Sequence, residues 1–213
     1  AGERAWRLVA AGEQLRTTGR RHIARCDPKM ARIIRAVGPC RLPKRHGRYA
    51  TLVHAIISQQ VSTASARAVQ KKLRAAAGGY LSPERIAALS SGELAGVGLS
   101  RAKASYIAGL SERVADRRLR LDNIDRLDDE AVLERLVEVR GIGPWTAHMF
   151  LMFVLNRPDI MPIGDLGIGY GFKRVYGLRK VPSEQRMLAL ADAWRPYRTV
   201  GSWYLWRSLD LPS

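Results

Sequence analysis

Leu136-Val137-Glu138-Val139-Arg140-Gly141-Ile142-Gly143-Pro144-Trp145-Thr146-Ala147 reads as the end of one helix, a tight turn and the start of the next. Ahead of it, Val132, Leu133, Leu136 and Val137 recur at helical spacing behind Asp128, a residue suited to cap them. Two glycines at i,i+2 make the turn. Proline then opens a helix where its missing N–H costs nothing. Without Cβ atoms, Gly141 and Gly143 let the backbone approach a ligand closely. The amides of the turn and of the helix start form an anion site that the helix dipole reinforces. Ile142 can plug its side chain between the two helices. A phosphate held in this way is gripped with no reading of base sequence. The same Gly-x-Gly also serves as a plain connector at any corner between helices, so its meaning depends on the rest of the chain.

Working outward, nearly every periodic segment reads as helix. Tyr49, Leu52, Val53, Ile56, Ile57 and Val61 predict one helix buried on one side. Ala64 to Ala77 predicts the next, with Val69 and Leu73 inward, closed by Gly78-Gly79. Ser82-Pro83-Glu84 is a start signal, Ser100 caps a helix carrying Tyr106, Ile107, Leu110 and Val114, and Ser183 opens another through Trp194. Pro144 to Leu155 is apolar nearly all round, the mark of a buried helix. Thr199 to Leu209 is the last. Period-2 alternation is absent, so the expected class is all-α: two helical lobes around a nucleic-acid-binding cleft. The expected division is a basic segment over 1–48 packing on the second lobe, a first lobe over 49–120, and a second lobe over 121–213 that holds the hairpin.

Charge supplies the support the hairpin needs. The chain has 213 residues, 36 Lys and Arg against 19 Asp and Glu, and a net charge of +17. Such an excess favours a polyanion, because phosphate contacts release condensed counterions. Residues 1–50 hold 13 basic and 3 acidic residues, so Arg16 to Arg48 is the first candidate phosphate-facing surface, or else a solvated, partly disordered arm. Two cysteines, Cys26 and Cys40, argue against a disulfide scaffold and exclude a four-cysteine cluster. His22, His46, His54 and His148 have no metal-binding spacing. No stretch is long enough to span a bilayer. A cytoplasmic, nucleoid-associated chain of bacterial type with no membrane partner is expected.

Four blocks together resemble the helix-hairpin-helix DNA glycosylases, in their 3-methyladenine DNA glycosylase II (alkylation-repair) branch. They are Tyr49 to Val61 with Ile56-Ile57-Ser58-Gln59-Gln60-Val61, Gly98-Leu99-Ser100-Arg101-Ala102-Lys103-Ala104, the hairpin through Ala147, and Pro162-Ile163-Gly164-Asp165-Leu166-Gly167. The resemblance runs from about residue 24 to 209.

Asp165, in an otherwise apolar stretch, is by itself either a helix N-cap or a placed functional group. The resemblance puts the family's catalytic aspartate there. Chemistry supplies a reason: cleaving an N-glycosidic bond builds positive charge on the sugar, which a fixed carboxylate stabilises more than the neutral ground state. An alkylated base is already cationic and leaves without acid assistance. The family often carries two adjacent acids at this spot, whereas here Gly164 precedes Asp165. Lyase members carry a Schiff-base lysine just inside the hairpin, and this chain has Trp145 in that place, so no lyase activity is expected.

The resemblance also assigns Trp145 and Trp206 to the base pocket, with Met149 as a further wall. The plain alternative is core packing, to which Trp203 is left. A flipped base stacks on such rings, and cation–π attraction favours its alkylated form. Gln59, Gln60, Arg140, Gly141, Ile142, Gly143 and Thr146 are the expected DNA contacts. Gln60 stands where some relatives place a wedge that fills the gap left by the flipped nucleotide; a solvated glutamine is the alternative. A monovalent cation, Na+ or K+, at the carbonyls of Val137, Val139 and Ile142 is implied by resemblance alone, and no cofactor is otherwise required. The expected protein is a monomeric, monofunctional glycosylase acting on double-stranded DNA containing damaged bases. Its rivals are a non-catalytic helix-hairpin-helix binding module and a glycosylase for oxidised or mismatched bases.

Overall fold

The computed structural model describes residues 2–43, 45 and 47–212, with residues 2–11 described by backbone alone. Lys44, His46 and the side chains of Arg4 and Arg7, part of the expected basic segment, lie outside the described residues. In chain order the helices are α1 (Gly2–Cys26), α2 (Pro28–Val37), α3 (Arg48–Ser58), α4 (Thr63–Ala76), α5 (Pro83–Ala87), α6 (Ser91–Gly96) and α7 (Arg101–Ala115). They continue as α8 (Asp129–Val137), α9 (Pro144–Phe153), α10 (Leu166–Tyr176), α11 (Glu184–Ala191) and α12 (Arg198–Ser208). Among the described residues there is no strand, and no helix is long and apolar enough to cross a membrane. The class is all-α.

The caps expected from the sequence form. Ser82, Ser100, Asp128 and Ser183 each accept an amide of the first turn of α5, α7, α8 and α11. Such a side chain satisfies one of the amides that a helix start leaves over, a contribution of about 1 kcal/mol each. One helix stops short. The Tyr49–Val61 pattern ends at Ser58, and Val61 is 45% exposed. The chain leaves the helix at Gln59, which is extended with ψ 126° and bonds its amide to the carbonyl of Ile56, and the carbonyl of Ile57 accepts from the ammonium of Lys103 at 2.8 Å.

The chain divides into two compact units, Arg45–Phe150 and a split unit of Ala1–Lys44 with Leu151–Ser213. This differs from the expected lobes over 49–120 and 121–213. Residues 121–150 belong with α3 because Arg48 donates to the carbonyls of Leu121 and Asp122 and pairs with Asp125 at 2.8 Å. The hairpin is likewise fastened to α3 and α7.

In the split unit, residues 16–37 are helical rather than a loose arm. Its core buries Ile23, Met30, Phe172, Trp194 and Tyr204 completely, each contributing roughly 1.5–3 kcal/mol or more by removal from water. The rings of Phe172 and Trp194 stack 5.5 Å apart at 3°. At the centre lies a buried carboxylate, Asp27. It caps α2 through the amides of Lys29 and Met30 and accepts the indole N–H of Trp194 at 3.0 Å and the phenol of Tyr176. Burial first, then the bond to Asp27, pushes the Tyr176 phenol far above its ordinary range, so it stays a donor.

Candidate active site and hairpin

The hairpin follows the pattern read from the sequence. After α8 ends, the amide of Ile142 returns to the carbonyl of Val139 at 2.9 Å, which closes the turn. Ile142, Thr146 and Ala147 are buried. The two glycines have different jobs. Gly141 has φ +92°, and a Cβ on it would lie 2.4 Å from the Tyr106 ring. Gly143 has no atom within 4 Å of the place its Cβ would take. So Gly141 is required by the fold, while Gly143 leaves open space beside the first turn of α9.

Several of the expected DNA contacts gather here. Gln59 donates through Nε2 to the carbonyl of Gly141 at 2.9 Å, and the Arg140 guanidinium lies over the Tyr106 ring at 5.6 Å. Gln60, next along, is exposed in the left-handed region at φ +53°. Trp145 is 47% exposed at the start of α9, with half-buried Met149 one turn on along the same face. His148 is half-buried, and burial lowers its pKa. Among the described residues no cluster of His, Cys, Asp or Glu suits a metal ion.

The split unit carries Asp165 and Trp206. Asp165 is the helix cap the sequence allowed, and its capping oxygen has a second donor. Its Oδ1 caps α10 by accepting the amide of Ile168 at 2.9 Å, and the same oxygen accepts the Trp206 indole N–H at 2.8 Å. Two donors on one oxygen fix the plane of the carboxylate. Gly167 makes the approach possible, since a Cβ there would stand 2.9 Å from the Trp206 ring and 3.0 Å from Oδ1 of Asp165. Beside the acid, Gly164 faces open space and Leu166 is 79% exposed. Trp206 stacks with Phe153 at 24°, ring centres 6.1 Å apart. Both rings line an open cavity of about 690 Å³, together with Pro39, Arg41, Trp203 and Arg207. Trp203, at 9% exposure, is mainly a core residue, as expected.

Four contributors were not singled out from the sequence: Tyr106 under the turn, Lys103 at the end of α3, Gly167 and Phe153. Lys103 alone left a signal. A lysine in the first turn after a Ser100 cap opposes the dipole of its own helix, so its charge has to be used elsewhere.

A family model described as HhH-GPD superfamily base excision DNA repair protein matches residues 53–196. DNA-3-methyladenine glycosylase 1 of Schizosaccharomyces pombe is 30% identical over 196 residues, 89% of this chain and 86% of that protein. The structure of the Schizosaccharomyces pombe 3-methyladenine DNA glycosylase Mag1 in complex with abasic DNA superposes with a TM-score of 0.79 at 30% identity, over 91% of this chain and 97% of that one. A DNA-3-methyladenine glycosidase from Bacillus halodurans superposes with a TM-score of 0.81 at 33% identity, over 88% and 87% of the two chains.

Proposed function

The chain belongs to the HhH-GPD superfamily of base excision DNA repair proteins, and from that premise we infer that it is a DNA glycosylase that removes alkylated bases by hydrolysing their N-glycosidic bond. We propose further that it is of the 3-methyladenine glycosylase II type, has no lyase activity, and works as a monomer on damaged double-stranded DNA of the nucleoid, in the cytoplasm. The observation that carries this reading is Asp165: a carboxylate oriented by its own helix start and by the indole of Trp206, whose ring lines an aromatic cavity.

Each step falls to named groups. The amides around Gly143 hold a backbone phosphate, and Arg140 and Thr146 flank that contact. Gln60 enters the stack as the damaged nucleotide swings out. Trp145, Met149 and Trp206 are the side chains proposed to receive the base, and ring faces favour a cationic one. As the bond from C1′ to the base breaks, the base leaves with the bonding pair and becomes neutral. Asp165 stabilises the positive charge left on the sugar. Water attacks C1′ and its proton passes to the carboxylate, which leaves an intact abasic site. Trp145 cannot form a Schiff base, so the backbone is not cut.

A monovalent cation is part of the proposal. The oxygens of Val137, Val139 and Ile142 would hold it; Val139 O accepts one bond, from the Ile142 amide, and has a second lone pair for an ion. Neutral carbonyls suit a hard, singly charged ion, which would add positive charge beside the phosphate.

The test is release of free base from methylated duplex DNA under single-turnover conditions, with borohydride present in a parallel reaction. Free methylated purine, an uncut abasic product, no trapped adduct and slower action on uracil are expected. Binding without release would establish the non-catalytic module. Trapping at the level of a lyase control, or faster excision of uracil, would overturn the finer assignment.

A further inference from the structure

We infer that Lys103 is a positioning residue for base flipping, its ammonium clamping the turn that presents Gln60 to the DNA. The inference rests on the reading of Gln60 as the wedge. Lys103 Nζ donates to the carbonyl of Ile57 at 2.8 Å and to that of Gln59 at 2.6 Å. These carbonyls stand at the C-terminus of α3, where the helix leaves acceptors over and its dipole is negative. The lysine reaches them from the third position of α7, its amide bonded to the Ser100 cap. A cation there is badly placed for α7 and well placed for α3, so its position is explained by the turn rather than by its own helix. Partial burial lowers its pKa, as fits an ammonium drawn out of water by carbonyl oxygens.

The clamp has a mechanical consequence. By bonding both Ile57 O and Gln59 O, Lys103 holds the chain where α3 ends, and Gln60 next to it takes a left-handed conformation that a residue with a Cβ adopts at a cost. Gln59, on the near side, is tied to the hairpin through Gly141 O at 2.9 Å. The turn is therefore fixed at Ile57 and Gln59, with Gln60 exposed beside them. A wedge entering a base stack is pushed back by the strands it separates. If the turn were free to wind on as helix, it would yield under that load. The clamp lets the wedge bear the load, while the phosphate grip at Gly143 is built from other atoms.

Full-length protein with Lys103→Met, Lys103→Arg, Gln60→Ala, and Lys103→Met with Gln60→Ala combined tests this. The readouts are fluorescence of 2-aminopurine beside the lesion, single-turnover base release and affinity for undamaged duplex. K103M is expected to reduce the flipping signal and the rate of release roughly tenfold, with undamaged-duplex affinity within about twofold of wild type. K103R should restore most of the loss, and the double variant should be no slower than Q60A alone. Losses that multiply in the double variant would overturn the proposal. So would an equal fall in undamaged-duplex affinity, which would make Lys103 a phosphate contact. Wild-type flipping by Q60A would sink the wedge reading itself, whereas a slow Q60A beside a fast K103M would sink only the clamp. Should K103M melt below the assay temperature, Lys103→Gln, which keeps N–H donors, carries the same comparison.

Discussion

A carboxylate that stabilises a developing cation must keep its charge and its place, and these can be separated at Asp165. Asparagine retains the oxygen that caps α10 and accepts the Trp206 indole, and it is a good N-cap in its own right. Asp165→Asn should therefore melt within about 1 kcal/mol of wild type and bind DNA equally or slightly better. Base release should fall by roughly 10²-fold or more. Near-wild-type release from methylated DNA would remove Asp165 from the chemistry. Gly167→Ala keeps the charge and disturbs the place, because its Cβ would stand 2.9 Å from the indole edge. It should slow release with little change in affinity; unchanged rates would show that Trp206 does not orient the acid. Only the resemblance made Asp165 a catalytic candidate; as a helix cap it was legible in the sequence. The need for glycine at 167 was not, since it comes from a ring on α12 that no local pattern places there.

Among the elements, the hairpin divides its work between two glycines that look alike in sequence. Gly141 is constrained from both sides, by φ +92° and by the ring of Tyr106, so Gly141→Ala should cost about 1–3 kcal/mol, seen as a lower melting temperature. Gly143→Ala meets no neighbour and should fold normally, yet its Cβ occupies the space where a phosphate would come. Damaged and undamaged duplexes should both bind it more weakly, by similar factors, since backbone amides carry no base information. A loss confined to one lesion in a binding titration would move Gly143 from the phosphate grip to the base pocket. The helix starts were readable because caps act within three residues. The end of α3 was not. Val61 continues the apolar period, yet the chain turns extended at Gln59, and the carbonyl of Ile57 accepts from a lysine some forty residues further along the chain.

For the molecule as a whole, the +17 charge makes a claim about salt. Each phosphate neutralised adds about −0.9 to the slope of log affinity against log salt on duplex DNA. A steep fall in affinity between low and physiological salt is expected, and a flat titration would mean the charge faces away from DNA. Composition gave a polyanionic partner without choosing DNA, and periodicity gave the helical class, but neither gave the division of the chain. Unit membership depends on distant contacts, such as that of Arg48 with residues 121–125. One such contact sets an order of events during synthesis. Asp27 emerges from the ribosome with its two backbone donors at hand, but Tyr176 and Trp194 follow 149 and 167 residues later. At about 5–20 residues per second that is a delay on the order of ten seconds. Meanwhile the last residue of Arg45–Phe150 is already out. The N-terminal helices must wait, carboxylate hydrated, for the far end of the chain to arrive and close over them.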